Sequence, residues 1–136
     1  MFEGHDTTAA GMNWAIHLLG AHPEIQRKVQ QELYEVFGDS DRPISSEDLK
    51  KLRYLECVIK EALRIFPSVP FFARTICEDT HISQRFALME EKVILASILR
   101  SFNIVSCQKR DDLKPHGDLI LRPEQGIWIT LEKRRR

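Results

Sequence analysis

One segment of the sequence limits the possible folds more than any other. Between residues 84 and 102, apolar side chains project to almost every side of a predicted helix instead of forming one stripe. These side chains are Phe86, Leu88, Met89, Val93, Ile94, Leu95, Ile98, Leu99 and Phe102. A helix of this kind needs cover on most of its faces. The pattern predicts a core helix, and it predicts exposed apolar surface and poor solubility wherever the covering elements are missing.

The residues directly before this helix raise a question of continuity. Aromatic and β-branched residues that follow two prolines predict an extended entry and a strand near residues 72–77. The helical pattern then starts at Gln84, and no Gly, Pro or Asn marks a turn in residues 78–83. The sequence therefore leaves two possibilities, a direct junction or a missing segment between Ser83 and Gln84.

The first half of the chain has the periodicity of helices. Residues 2–20 form a predicted helix whose apolar positions are Ala9, Met12, Ile16 and Leu19. A second helix starts near Pro23, which suits a first helical turn, and stops at Gly38. Ser45, three residues before Asp48, is a variant of the capping box that starts a further helical region. A helix over residues 54–66 ends there because the residue before a proline avoids helical angles.

The last part of the chain has the signals of strands. Residues 118–122 and 127–132 predict a β-hairpin around the turn sequence Pro-Glu-Gln-Gly. Together with the helices, this pattern predicts a mainly α fold with small β elements.

Composition excludes several classes of protein. A length of 136 residues fits one domain, and Lys+Arg and Asp+Glu both number 20, so net charge gives no sign of a nucleic-acid partner. Cys57, Cys77 and Cys107 form no C-x-x-C pair, which argues against a zinc site and a disulfide framework. No apolar run reaches the roughly 18 residues of a transmembrane helix, although a longer parent protein could still contain one.

Two short motifs contain acidic, hydroxyl or basic residues of the kinds that often take part in catalysis. "EGHDTT", residues 3–8, is either a capped helix start or a polar notch that passes protons to a bound ligand. "EALR" places Glu61 and Arg64 at i and i+3 on one helix face, where such pairs are common and weak. Either interpretation of "EALR" gives Arg64 a structural part rather than a catalytic one.

Taken together, the motifs resemble a known family. "EGHDTT", "EALR" and "QRFALMEEK" occur in the order and at the spacing of the C-terminal half of a cytochrome P450, specifically the family-4 group of fatty-acid ω-hydroxylases. The resemblance covers essentially the whole chain, and it implies an incomplete P450 fold. It divides the chain into residues 1–83, with the oxygen-binding and E-x-x-R helices, and residues 84–136, with the last core helix and the hairpin.

The resemblance implies roles for individual residues. Asp6 and Thr7 match the acid–alcohol pair that delivers protons to iron-bound dioxygen. Glu3 matches a glutamate that is esterified to the haem periphery in many family-4 members, and Arg74 matches a basic partner of a haem propionate. Glu61 and Arg64 match the E-x-x-R pair that braces the haem-side core. The substrate-lining segments are matched by Ser68, Val69, Phe71, Phe72 and the Gly126–Ile127 turn.

The resemblance also shows what this sequence lacks. In the family, the strand near "ARTICEDTHIS" is followed by several dozen residues that include a P-E-R-F-like segment and the haem loop, F-x-x-G-x-R-x-C-x-G. Here Ser83 joins Gln84 directly, so the axial cysteine is absent and no metal ligand is assigned. None of the three cysteines present lies in a Gly-rich loop at a helix N-terminus, where a thiolate charge would be stabilised.

Two functional hypotheses remain. In the first, the chain derives from a haem-thiolate monooxygenase that uses haem b, a reductase and a fatty-acid substrate at the endoplasmic reticulum membrane. The chain itself is then expected to be inactive, and its membrane anchor is expected among parent segments that precede Phe2. The alternative is a non-enzymatic remnant or a helical interaction module without haem. No nucleic-acid partner is expected in either case.

Overall fold

The computed structural model describes residues 2–71, 85–117 and 120–134, with side chains from Asp6 onward in the first helix and from Ala87 onward in the fifth. The helices are α1 (Phe2–Ala21), α2 (Pro23–Phe37), α3 (Ser46–Lys51), α4 (Arg53–Ile65) and α5 (Arg85–Ser101). The strands are β1 (Phe102–Ser106), β2 (Pro115–Gly117), β3 (Leu121–Pro123) and β4 (Ile129–Lys133). A short 3₁₀ turn covers Arg110–Asp112. The predicted fold class, mainly α with small β elements, is confirmed.

The predicted helix boundaries follow from local chemistry. Pro23 occupies the first position of α2, and Gly38 ends that helix with a positive φ of 56° while its N–H bonds the carbonyl of Tyr34 at 2.7 Å. At the start of α3, the capping box forms in both directions. The N–H of Asp48 donates to Ser45 Oγ at 3.3 Å, and the N–H of Ser45 donates to Asp48 Oδ2 at 3.0 Å.

Helix α5 lies at the centre of the core, as its apolar composition predicts. Leu95, Ala96 and Leu99 are inaccessible to solvent and pack among residues of α1, α2 and α4. The opposite side of α5 is not covered to the same extent, because Met89 is 43% exposed and Val93 is 38% exposed. The predicted exposed apolar surface is therefore present on this helix.

The predicted pairing of the C-terminal strands is wrong. Strand β4 pairs antiparallel with β1, and β3 pairs antiparallel with β2, so the segments on either side of Pro-Glu-Gln-Gly do not form one hairpin with each other. The reason lies in Leu121, whose main-chain N–H donates to the Ser68 carbonyl at 2.9 Å and whose carbonyl accepts from Trp14 Nε1 at 3.0 Å. These contacts use the backbone of β3, while β1 offers β4 a partner directly after α5. The strand expected near residues 72–77 lies outside the described residues.

Candidate functional site

The acid–alcohol pair lies on α1. The carboxylate of Asp6 forms an ion pair with Arg122 on β3, with Oδ2 and Nη2 3.0 Å apart, and both side chains are about half exposed. Thr7 is half-buried beside it. In this chain Asp6 thus has a cationic partner that sequence analysis did not find, because the partner lies 116 positions further along the chain.

The segment after α4 meets the same part of the β region. The Ser68 carbonyl accepts the Leu121 N–H, and the Trp14 indole donates to the Leu121 carbonyl. Trp14 also stacks on Phe66 with ring centroids 4.1 Å apart. Ile127 packs against the cluster that these two rings form with Leu113. The structure therefore brings together three of the predicted site segments, those of Asp6, Ser68 and Ile127, around β3.

The other residues predicted to line the substrate pocket are less enclosed. Val69 is half-buried, whereas Phe71 is 80% exposed and therefore lines no closed cavity in this chain. Phe72 and Arg74 lie outside the described residues, and so does the side chain of Glu3. Their predicted roles stay predictions.

The E-x-x-R pair forms, but at the surface. Arg64 Nε donates to Glu61 Oε2 at 2.7 Å and Nη2 donates to Oε1 at 2.8 Å, with the side chains 71% and 55% exposed. The hydrogen bond from Arg64 lowers the pKa of Glu61. An exposed pair of this kind adds little to stability. The bracing role that the family pattern implies stays a prediction.

An apolar groove that sequence analysis missed adjoins Glu61. It has a volume of about 410 Å³ and lies between α1, α2 and α4. Its apolar wall consists of Leu18, Leu19, Ile25, Val58, Ala62 and Ile65. Cys57 and Glu61 lie at its edge. No sequence signal could have indicated this groove, since its wall residues are spread over three helices with ordinary amphipathic patterns.

Two buried ionisable residues on α5 were also missed. Lys92 donates to the Leu49 carbonyl at 3.0 Å and to Glu56 Oε2 at 2.6 Å. Hydrogen bonds from Lys60 and Lys92 lower the pKa of Glu56 to about 2. Glu91 is 4% exposed, and burial together with the charge of Glu90 raises its pKa to about 7. The run "MEEK" looks like a solvated helix face in sequence, so only packing distinguishes its members.

The donor groups of the described residues do not fit a thiolate-ligated haem. Among the described residues, Cys57 is exposed within α4, and Cys107 is exposed after β1 with its Sγ 3.4 Å from Thr130 Oγ1. Neither thiol lies at a helix N-terminus, the position that would stabilise a thiolate. The described part of the chain also contains no group of three or more His, Cys, Asp and Glu side chains that could hold a metal ion. We therefore derive no reaction step through a haem group in this chain.

Comparison with known proteins assigns the family. A model of the cytochrome P450 family matches residues 1–84, which is more than half of the chain. The chain belongs to the cytochrome P450 family. Haem is the cofactor of that family. Within the described residues, no helix has both the length and the apolar character needed to cross a membrane.

The relatives place this P450 chain beside the family-4 members. It is 46% identical to mouse "Cytochrome P450 4V2" and 45% identical to the human protein of that name, in each case over 98% of this chain and 37% of the relative. It is 33% identical to "Cytochrome P450 4c3" of Drosophila melanogaster. The chain spans little more than a third of the length of these relatives. A crystal structure of a cytochrome P450 (CYP102L1) matches 92% of this chain and 42% of its own with a TM-score of 0.77 at 21% identity, which supports the fold.

The alignment with the relatives is longer than this chain. It runs over 194 residues of mouse Cytochrome P450 4V2, whereas the chain has 136, so at least 58 residues of the relative face no residue here (194 less 136). The match of the family model ends at residue 84.

Proposed function

We propose that the chain carries the oxygen-binding helix and the E-x-x-R helix of a haem-thiolate monooxygenase similar to the family-4 fatty-acid ω-hydroxylases. The observation that carries this proposal is 46% identity to mouse Cytochrome P450 4V2 over 98% of the chain. In a complete parent protein, haem b, a reductase electron donor, a fatty-acid substrate and the endoplasmic reticulum membrane complete the system. Asp6 and Thr7 would supply protons there, and Glu3 and Arg74 would contact the haem.

The chain alone is inactive in this proposal. We infer that the unmatched residues of the relative belong between Ser83 and Gln84, beside the end of the family-model match at residue 84 and ahead of α5, where the axial cysteine is expected. Oxygen activation of the P450 type needs a thiolate on the iron. The surroundings of Cys57 and Cys107 support neither as a substitute.

A carbon monoxide difference spectrum tests the proposed inactivity of the chain. Purified protein is incubated with haem, reduced and exposed to carbon monoxide, and we expect no thiolate-type Soret band. If the band appears, the inactivity proposal fails, and the variants Cys57→Ser, Cys77→Ser and Cys107→Ser identify the ligand by loss of the band. Mouse Cytochrome P450 4V2 prepared in the same way serves as the positive control.

Sequencing of the transcript tests the missing segment directly. We expect the codons for Ser83 and Gln84 to be adjacent in a splice form and separated by about 60 codons in a complete transcript, as the alignment length indicates. A genome and transcript in which these codons are always adjacent would contradict splicing and leave an internal deletion.

A second candidate function is a non-enzymatic interaction module. The exposed Phe71, Trp128 and Met89 favour it, because large apolar side chains on a surface often mark contact sites. The first proposal also expects no haem binding and no turnover from the isolated chain, so a specific association that is lost in a Trp128→Lys variant is the result that would support this candidate.

A further inference from the structure

Along β4, residues whose main-chain groups point toward β1 alternate with residues whose main-chain groups point toward the outer edge of the sheet. The N–H of Cys107 donates to the Trp128 carbonyl and the N–H of Arg134 donates to the Ser101 carbonyl, each at 3.0 Å. In an antiparallel pair, bonded and non-bonded residue pairs alternate. Thr130 and Glu132 therefore direct their main-chain groups toward β1. The main-chain groups of the intervening residues, Ile129, Leu131 and Lys133, point away from β1.

The other edge of this sheet is closed by side chains of α2. Gln26 is 4% exposed, and its amide donates to the Ile104 carbonyl and accepts the Ile104 N–H, both at 2.8 Å. Gln30 continues the contact by donating to Asn103 Oδ1 at 2.9 Å. One glutamine thus occupies both backbone groups of Ile104 in the way a neighbouring strand would. No further strand can pair with β1 at this edge.

The outer edge of β4 has no such cover. The sheet contains β1 and β4 only, as far as the described residues show, and none of them hydrogen-bonds the outward groups of β4. The side chains along the strand are also accessible, with Leu131 46% exposed and Trp128 66% exposed. Unpaired main-chain groups on an exposed apolar edge strand are a template for another strand.

We propose that this edge pairs with β4 of a second copy of the chain, antiparallel, across a two-fold axis at Leu131. The main-chain groups then match, because Leu131 exchanges both hydrogen bonds with its symmetry mate and Ile129 exchanges them with Lys133 of the second copy. An isologous contact of this kind closes at a dimer.

Side-chain charges favour this register. The antiparallel arrangement places Ile129 opposite Lys133, Thr130 opposite Glu132, and Trp128 opposite Arg134 of the second copy. No like charges face each other in these three pairs. A parallel in-register arrangement would stack Glu132 on Glu132 and Lys133 on Lys133, which is destabilising. The strand is therefore complementary to an antiparallel copy of itself.

The test uses a substitution that removes one outward N–H. Leu131→Pro deletes the donor at the axis, and since that N–H does not bond β1, the monomer's own pairing is retained. Sedimentation velocity over a concentration series is expected to show a monomer–dimer equilibrium for the wild-type chain and monomer alone for Leu131→Pro. The matched control, Leu131→Thr, keeps the N–H and is expected to retain dimer formation. A wild-type chain that stays monomeric at every concentration overturns the proposal.

A second variant covers the case in which the proline variant does not fold. Leu131→Lys keeps the backbone but sets two ammonium groups face to face, so dimer formation is expected to fall at low salt and to recover partly at high salt. Amide hydrogen exchange gives an independent result. The Leu131 and Lys133 amides should slow as concentration rises, whereas those of Thr130 and Glu132 should not change. Association that survives both Leu131 variants and disappears in Val93→Lys would overturn the proposal in favour of the exposed side of α5.

Discussion

Two adjacent residues of α5 bury ionisable groups on two different sides of the core. On the α3–α4 side, Lys92 meets a main-chain carbonyl and the Glu56 carboxylate. On the α1 side, Glu91 lies so close to the backbone that a Cβ at Gly11 would be 2.7 Å from its Oε1. Burial and the neighbouring Glu90 raise its pKa to about 7. The first side stabilises a buried charge by pairing, whereas the second disfavours the charge and favours the protonated form.

The largest effect is expected from breaking the paired side. Lys92→Met should lower the free energy of unfolding by about 3 kcal/mol, because it leaves Glu56 and the Leu49 carbonyl without their buried donor. This value is at the low end for a buried pair because Glu56 is 31% exposed. Urea denaturation at pH 7 measures the change. Lys50→Met is the matched control, since its pair with Glu47 is exposed and should contribute less than ~0.5 kcal/mol. Equal losses in the two variants would contradict the assignment.

The second-largest change in stability is expected at Glu91, and it depends on pH. The folded-state pKa of Glu91 is raised from 4.5 to about 7. The contribution of Glu91 to the free energy of unfolding is therefore fully present below pH 4.5 and is lost as pH rises through about 7. Glu91→Gln should therefore stabilise the fold by about 2 kcal/mol at pH 8 and by little at pH 4.5. Denaturation curves at both pH values measure the difference, with Glu124→Gln, at an exposed site away from Glu91, as the control. A stabilisation that does not vary with pH would show that ionisation is not the cause.

A third test concerns a buried base in α1. His17 is inaccessible to solvent, its Nδ1 lies 2.9 Å from Ser106 Oγ, and its Nε2 has no hydrogen-bond partner among the described residues. Burial, with a smaller contribution from His22, lowers the pKa of His17. The contribution of neutral His17 to the free energy of unfolding is present above pH 6.5 and is lost as pH falls toward the lowered pKa. Stability thus falls with decreasing pH at His17, whereas it falls with increasing pH at Glu91. His17→Gln should flatten the fall in stability between pH 6.5 and pH 5 in urea denaturation curves, and a fall that is unchanged in this variant would contradict the assignment.

Much of the helical part of this fold was predictable because local rules decide it. Pro23, Gly38 and the capping box at Ser45 set helix ends through contacts within a few residues. Strand pairing was not predictable in the same way, since the Leu121 backbone is used by Trp14 and Ser68, which lie far away in sequence. The same limit applies to the site. The positions of Asp6 and Glu61 follow from motif spacing, but the ion pair of Asp6 with Arg122 depends on how α1 meets β3.

The smallest change in stability is expected at the E-x-x-R pair. Comparing it with the change at Lys92 shows how much more a buried ion pair contributes than an exposed one. Both side chains are more than half exposed in this chain, so Glu61→Gln should change the urea midpoint by no more than the error of measurement. In mouse Cytochrome P450 4V2, the same substitution in the matching motif should lower haem content if the pair has the bracing role that we propose for it in a complete fold. A clear loss of stability in the 136-residue chain would mean that Glu61 has a structural partner here beyond Arg64.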